Sequence, residues 1–151
     1  MAEVRSWRLR LAGSSDADAV LVFWQQAAED AHRPVDSAHA IGALLERDPQ
    51  ALILALDGEE IVGSVIAGWD GWRCHIYRLA VAPHRRREGI GRALVDAAEA
   101  RFAALGGTRA DAMILDQNEL AHHAWRASGF APQPEWSRWV KAVARVDEAA
   151  P

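Results

Sequence analysis

Cysteine is nearly absent from this chain: Cys74 is the sole thiol among 151 residues, so no disulfide can form within it. That usage fits a reducing compartment. No stretch approaches the roughly 18 uninterrupted apolar residues of a membrane-spanning helix, and Met1-Ala2-Glu3 opens without the charged-then-apolar pattern of an export leader. A cytoplasmic protein with no membrane partner is expected. Basic residues are not in excess, at 17 against 21 acidic and a formal charge of −4, so the chain lacks the electrostatic footprint of a general nucleic-acid binder. The cluster Arg85-Arg86-Arg87 is therefore a local feature. His32, His39 and His84 show no ligand spacing with Cys74, which argues against a metal site. Repeats and low-complexity blocks are missing too. What is present is a 50% hydrophobic composition, enough for one domain with a core over residues 1–146, and residues 147–151 read as a disordered tail.

Residues 4–11 alternate apolar and polar, the period of a half-buried strand. Gly13-Ser14-Ser15-Asp16 stops that strand, and Ser14 or Ser15 is placed to cap a helix that buries Val20, Phe23, Trp24, Ala27 and Ala31. A second helix begins near Asp36, turns Ile41, Leu44 and Leu45 inward and halts at Asp48-Pro49. Three apolar strands follow, at 51–56, 61–69 and 72–82, joined by the turn pairs Asp57-Gly58 and Asp70-Gly71. Pro83 ends the third, because proline cannot donate to a ladder. Ile90, Leu94, Ala98, Phe102 and Leu105 then recur at helical spacing up to the stop at Gly106-Gly107. A strand at 108–115, a short helix at 118–127 closed by Gly129, and a strand at 136–143 complete the order β-α-α-β-β-β-α-β-α-β. That order is α+β: a mixed, mostly antiparallel twisted sheet flanked by helices, with one crossover helix.

The junction between Val81 and Leu94 carries the chemistry. A strand ends at Pro83, a basic and glycine-bearing turn follows, and a helix opens at once, so backbone N–H groups and the unsatisfied first helical turn converge on one point suited to a phosphate. Two phosphate motifs do not fit. A Walker-type loop needs lysine and then serine or threonine after its last glycine, where Gly91 is followed by Arg92-Ala93. A dinucleotide fingerprint needs a third glycine, where the sequence reaches Leu94, and its strand opens a βαβ unit rather than closing a hairpin series.

What remains, Arg86-x-x-Gly89-x-Gly91 after Leu79-x-Val81-x-Pro83, resembles the GNAT superfamily of acetyl-CoA-dependent N-acetyltransferases. The resemblance extends to the element order, to Asn118 and to Ser128-Gly129-Phe130. The stretch Gly68-Trp69-Asp70-Gly71-Trp72-Arg73 is most similar to small bacterial members of that superfamily whose substrates are generally unassigned. It implies that the backbone from Arg87 through Glu88, Gly89, Ile90 and Gly91 to Arg92, with Arg86 beside it, holds the pyrophosphate of coenzyme A. It also implies that the third strand of the meander splays from the next one so that the pantetheine arm adds like a strand. Leu79 and Val81 would serve through backbone groups, the N–H near Val81 polarising the thioester carbonyl. Asn118 would bond the cofactor, although a plain helix cap is an equal use of it. Family members commonly carry glycine at the position of Arg87, and lysine or glycine at that of Glu88. Arg87 adds favourable charge and Glu88 opposes it.

Acetylating an amine needs a neutral nucleophile and a route for its proton. Strand alternation puts His75, Tyr77, Leu79 and Val81 on one face, and the resemblance puts His75 where several members carry their base. His75 is either that base or a histidine hydrogen-bonded within the sheet; Tyr77 is the second catalytic candidate. Where many members have a tyrosine that protonates the leaving sulfur, this chain has Trp125, whose indole N–H is a donor but not a usable acid. His122 and His123 are alternative donors or surface histidines. Seven tryptophans are present. Trp24, Trp69 and Trp72, with Asp30 and Asp70 to hold a cation, could line an acceptor mouth, or they pack the core and anchor loops. Trp7, Trp136 and Trp139 alternate in strands and read as structural. The expected activity is transfer of an acetyl group from acetyl-CoA to a small amine or amino-acid derivative. The alternatives are acetylation of a protein amino terminus or lysine, and acyl-CoA binding without turnover. The resemblance also makes a homodimer through the C-terminal strands an expectation.

Overall fold

A computed structural model describes residues 4–28 and 32–146, which fall into two compact units divided after Gln117. In the first, β1 (Trp7–Leu11), β2 (Leu52–Asp57), β3 (Glu60–Trp69), β4 (Cys74–Val81) and β5 (Ala110–Ala112) form one sheet in sequence order. Every neighbouring pair is antiparallel except β4 with β5. A parallel pair cannot be joined by a hairpin, and α3 (Ile90–Ala104) supplies the crossover. Between β1 and β2 lie α1 (Ala17–Ala27) and α2 (Ala38–Arg47). The α+β class and the mostly antiparallel sheet are those the sequence predicts. None of the described helices is long and apolar enough to cross a membrane.

The two helices before β2 start differently. Ser37 accepts the Ala40 N–H at 3.0 Å and caps α2. Neither Ser14 nor Ser15 caps α1, contrary to expectation. They open a 3₁₀ turn in which the Asp16 carboxylate takes the Gly13 N–H at 2.7 Å and both terminal nitrogens of Arg10. A charged, bidentate acceptor outcompetes a hydroxyl for those donors.

The two faces of the sheet are set by adjacent residues of β3. A Cβ on Gly63 would meet Ile90 Cγ2 at 2.7 Å and Leu94 Cδ1 at 3.0 Å, so Gly63 lies against α3. Ser64 points the other way, accepting the Trp24 indole N–H of α1 at 2.9 Å. Buried Ile90, Leu94, Ala98 and Phe102 form the α3 contact surface; Val20, Phe23 and Trp24 form that of α1.

The sheet is irregular at one place that matters for function. From Ser64 to Ile66, β3 advances two residues while β4 runs three, from Ala80 back to Tyr77. β4 therefore carries one extra residue, a bulge, and Arg78 there has φ +50. Side chains hold it open. The Ser64 hydroxyl donates to the Arg78 carbonyl at 2.8 Å, the buried Arg78 guanidinium pairs with Asp36, and it sits 5.3 Å from the centre of the Trp24 ring.

In the second unit, α4 (Glu119–Ala127) begins at Asn118, whose Oδ1 accepts the Ala121 N–H at 3.1 Å. It closes with Phe130 N–H on the Trp125 carbonyl at 3.0 Å, a helix-ending bond that brings the Phe130 ring edge-on to Trp125 at 4.7 Å. The strand expected at 136–143 does not form. Trp136 and Trp139 are 76% and 93% exposed, so they are not the structural tryptophans that alternation suggested. Alternation alone does not make a strand without pairing, and among the described residues no ladder includes 136–143. Residues 147–151, expected to be a disordered tail, lie outside the described residues.

Replacing Ser64 by alanine removes the acceptor of a buried indole N–H and one donor to the bulge carbonyl. Ser64→Ala should lower stability by about 1–3 kcal/mol, read as a lower midpoint in urea denaturation; an unchanged midpoint would contradict the network.

Candidate active site

The loop from Ala82 to Gly89 is built to point backbone donors outward. After the short 3₁₀ turn Pro83–Arg85, Arg87 adopts φ +66 and Gly89 φ +80, and Ile90 starts α3. Left-handed residues on either side of Glu88, just before a helix, turn nearby N–H groups toward one concavity, and the first-turn amides of α3 have no acceptor within the helix. Gly91 faces Val81, with 3.5 Å between a Cβ placed on it and Val81 Cγ2. The left-handed backbone at Arg87 accounts for the glycine usual there in similar proteins, since a Cβ is disfavoured in that region.

Arg85 belongs to the scaffold of the loop. Its guanidinium is consumed in tethering the loop, donating to Glu88 at 2.7 and 3.0 Å, to Asp57 at 2.8 Å and to Ser6 at 2.9 Å. The same pairing answers the objection raised by Glu88. Its carboxylate is neutralised locally by Arg85, which also holds it below the ordinary carboxylate range. The tether is thus complete above the usual glutamate pKa of about 4.3 and is lost as pH falls through the depressed value. Arg86 and Arg87 are exposed, while Arg92 pairs with Asp96 one turn on at 3.0 Å.

Upstream of the loop, one edge of β4 is open. The β4–β5 ladder covers Cys74, His75 and Ile76 only, and β4 continues to Val81. The Ala82 N–H donates to Val62 of β3 at 2.9 Å, so the neighbouring Val81 N–H points the opposite way, to the side where β5 is missing. The bulge also corrects the expected sharing of one face. Val81 pairs with Gly63 and lies on the α3 side. Tyr77 pairs with Ile66, and His75 with Gly68, both on the Ser64 side of β3, so these two side chains lie on the α1 side. A Cβ on Gly68 would come 3.1 Å from Tyr77 Cε2, which agrees. The extra residue at Arg78 reverses the alternation midway, and Leu79 follows it, half-buried.

His75 is the centre of a polar group. Its Nδ1 is 2.7 Å from Asp111 Oδ1, its Nε2 is 3.4 Å from Asp70 Oδ2, and its ring centre is 5.9 Å from that of Tyr77. Asp70 is pinned by the Trp72 and Arg73 N–H groups, each at 2.7 Å, and these lower its pKa. Tyr77 is 47% exposed. Sequence reasoning missed Asp111. The available signal was an acidic residue between two alanines in a short strand, Ala110-Asp111-Ala112, but only the parallel register sets it opposite His75.

The aromatic candidates separate. Trp24 is 3% exposed and spends its N–H on Ser64, so it supports the bulge and lines no mouth. Trp69 pairs with Cys74 on the α3 side, away from His75. Trp72 is 72% exposed with the Arg73 guanidinium 5.1 Å from its ring. Trp69 and Trp72 line a hollow of about 370 Å³ with Cys74, Gly107 and Arg109. That hollow lies at the start of β4, about 23 Å along the strand from Val81. Asp30 lies outside the described residues. Asn118 and Trp125 hold the positions in α4 given above, and His122 is half-buried and His123 exposed on the same helix.

Comparison with known proteins places this geometry. The profile of the Acetyltransferase (GNAT) family matches residues 17–130. An acetyltransferase of Pectobacterium atrosepticum is 34% identical over 112 residues, covering 74% of this chain and 78% of that protein. One from Yersinia enterocolitica is 32% identical over the same share of each chain. Among solved structures, Ard1 from Thermoplasma volcanium superposes with a TM-score of 0.72 at 19% identity over 84% of both chains. The putative acetyltransferase yncA from Salmonella typhimurium, solved with its cofactor acetyl-CoA, reaches 0.69 at 18% identity, over 82% of this chain and 79% of that one. The family profile and the curated relatives make this chain an acyltransferase. This chain belongs to the GNAT family of acetyltransferases.

Arg87 holds a left-handed conformation that costs a non-glycine residue about 1–2 kcal/mol. Arg87→Gly should therefore raise stability by about 1 kcal/mol in denaturant titration, whereas Gly89→Ala should lower it by a similar amount. Loss of stability in Arg87→Gly would contradict the assigned backbone.

Proposed function

We propose that the chain is an N-acetyltransferase that moves the acetyl group of acetyl-CoA to an amine by direct attack. The observation that carries this is the continuity of the late end of β4, from Leu79 to Val81, where the β5 ladder has ended, with the loop that ends at Gly89. An extended pantetheine arm pairs with such an edge through its amides, and a pyrophosphate fits the convergent N–H groups and helix dipole where the edge ends. The backbone of Arg87, Glu88, Gly89, Ile90, Gly91 and Arg92 would hold the pyrophosphate, with Arg86 and Arg87 adding charge. The Val81 N–H would meet the thioester oxygen, where it stabilises the charge that develops on attack.

The acceptor approaches on the α1 side of β4, where His75, Tyr77 and Asp70 lie. Nitrogen bonds to the acetyl carbon, the carbon–sulfur bond breaks, the proton of the attacking amine is relayed through water along β4 past Tyr77 to His75, and the thiolate takes a proton from Tyr77 or from water. A thiol with a pKa of about 8.5 leaves acceptably as the anion, so the tryptophan at position 125 does not bar turnover. The acceptor class is a small amine or amino-acid derivative, acting without a metal and in the cytoplasm. Binding without turnover is the second reading, favoured by Trp125, whose ring is packed against Phe130 instead of offering a hydroxyl.

Calorimetry with acetyl-CoA and thiol release against a panel of small amines, lysine peptides and amino-terminal peptides separates these readings. Release stimulated by a small amine is expected. Binding with no stimulated release favours the binding module, stimulation by peptides alone favours a protein acetyltransferase, and failure of acetyl-CoA and CoA to bind refutes the donor site. His75→Ala should reduce kcat/KM mainly at pH values below the pKa of the acceptor amine, where a proton must be removed. An unchanged pH profile would remove His75 as the base.

A further inference from the structure

We infer that Asp111 is a positioning residue that fixes His75 with its proton on Nδ1, leaving the Nε2 lone pair free to accept a proton. The inference deepens the acyl-transfer reading and rests on it for its catalytic meaning, but the location of the proton is independent of any substrate.

The basis is register. β5 touches β4 over three residue pairs only, and the central pair is His75 with Asp111. Side chains of paired residues share a face, and this pair meets at 2.7 Å between Nδ1 and Oδ1. A carboxylate accepts and cannot donate, so a neutral imidazole at that distance must present N–H from Nδ1. The other nitrogen then carries the lone pair. The groups facing the ring are few: Asp111 from β5, Asp70 from the turn before β4, and Tyr77 from β4 itself. Asp70 spends Oδ1 on the Trp72 and Arg73 N–H groups, and its other oxygen, Oδ2, stands 3.4 Å from Nε2. When Nε2 takes the proton from the attacking amine, the imidazolium that results has a carboxylate against each nitrogen. Asp111 orients the base and Asp70 receives its charged form. The side chain of His75 is 26% exposed, so the ring is partly open to solvent while it is held.

The short ladder also has a use in this scheme. Had the β4–β5 pairing continued past Ile76, the edge needed for an extended ligand would be filled. Had it stopped earlier, Asp111 would not reach His75. Three pairs satisfy both requirements.

Imidazole ¹⁵N spectra of the full-length protein at about pH 8.5, above the ordinary histidine pKa of about 6.5, test the inference directly. The wild type should show His75 protonated on Nδ1. In Asp111→Asn, of nearly equal shape, the amide can turn its NH₂ to Nδ1 and move the proton to Nε2. With the best amine of the panel, the same variant should lose about 10²-fold in kcat with the KM for acetyl-CoA unchanged, and His75→Ala combined with Asp111→Asn should be no slower than His75→Ala alone. Circular dichroism checks that the variant folds. An Nε2–H signal in the wild type, or the same tautomer in wild type and variant, overturns the inference. A moved proton with full kcat overturns its catalytic part. If no amine is acetylated, the acyl-transfer reading fails, and the spectra still decide where Asp111 holds the proton.

Discussion

The extra residue in β4 at Arg78 is the constraint on which the site depends. Without it, strict alternation would keep His75, Tyr77 and Val81 on one face. With it, His75 and Tyr77 lie on the α1 side and Val81 on the α3 side beside Gly91. A bulge leaves local backbone groups short of ladder partners, and here distant residues supply them. Trp24 donates to Ser64, Ser64 donates to the Arg78 carbonyl, and Asp36 pairs with the Arg78 guanidinium. Because the network is buried and its links are mutually dependent, it specifies one conformation of the strand.

Below the bulge, the two ends of β4 are given to different tasks. The early end is paired on both sides and carries His75, held by β5. The late end is open on one side and runs into the loop whose amides converge before α3. Its charge is managed by division of labour among the arginines: half-buried Arg85 is taken up in structural pairs, whereas Arg86 and Arg87 face solvent. At Arg87 the chain accepts the local cost of a non-glycine residue at φ +66.

Features coded by local sequence were legible before any coordinates. The turn pairs, the 3.6-residue period of α3, the stop at Pro83 and the glycines of the loop each act over a few residues, and together they led to the fold class and to the loop proposed to hold an anion. Features that depend on distant pairing were not. Nothing near Arg78 announces a bulge, because its stabilising partners lie at positions 24, 36 and 64. For the same reason Trp24 read as a candidate mouth residue, when its N–H is tied to Ser64, and Asp111 passed unnoticed, because only the parallel register brings it to His75. The alternation over 136–143 misled for a related reason, since a strand pattern is realised only where a ladder takes it up, and among the described residues none includes these.

The central claim is that the open β4 edge and the following loop receive the donor. Backbone ¹H–¹⁵N spectra recorded while coenzyme A is added test it most directly. The account predicts shifts concentrated at Val81 and from Arg87 to Arg92, with Cys74 and Gly107 unmoved. Shifts centred on the hollow lined by Trp69, Cys74 and Gly107, with Val81 and the loop amides unchanged, would contradict it.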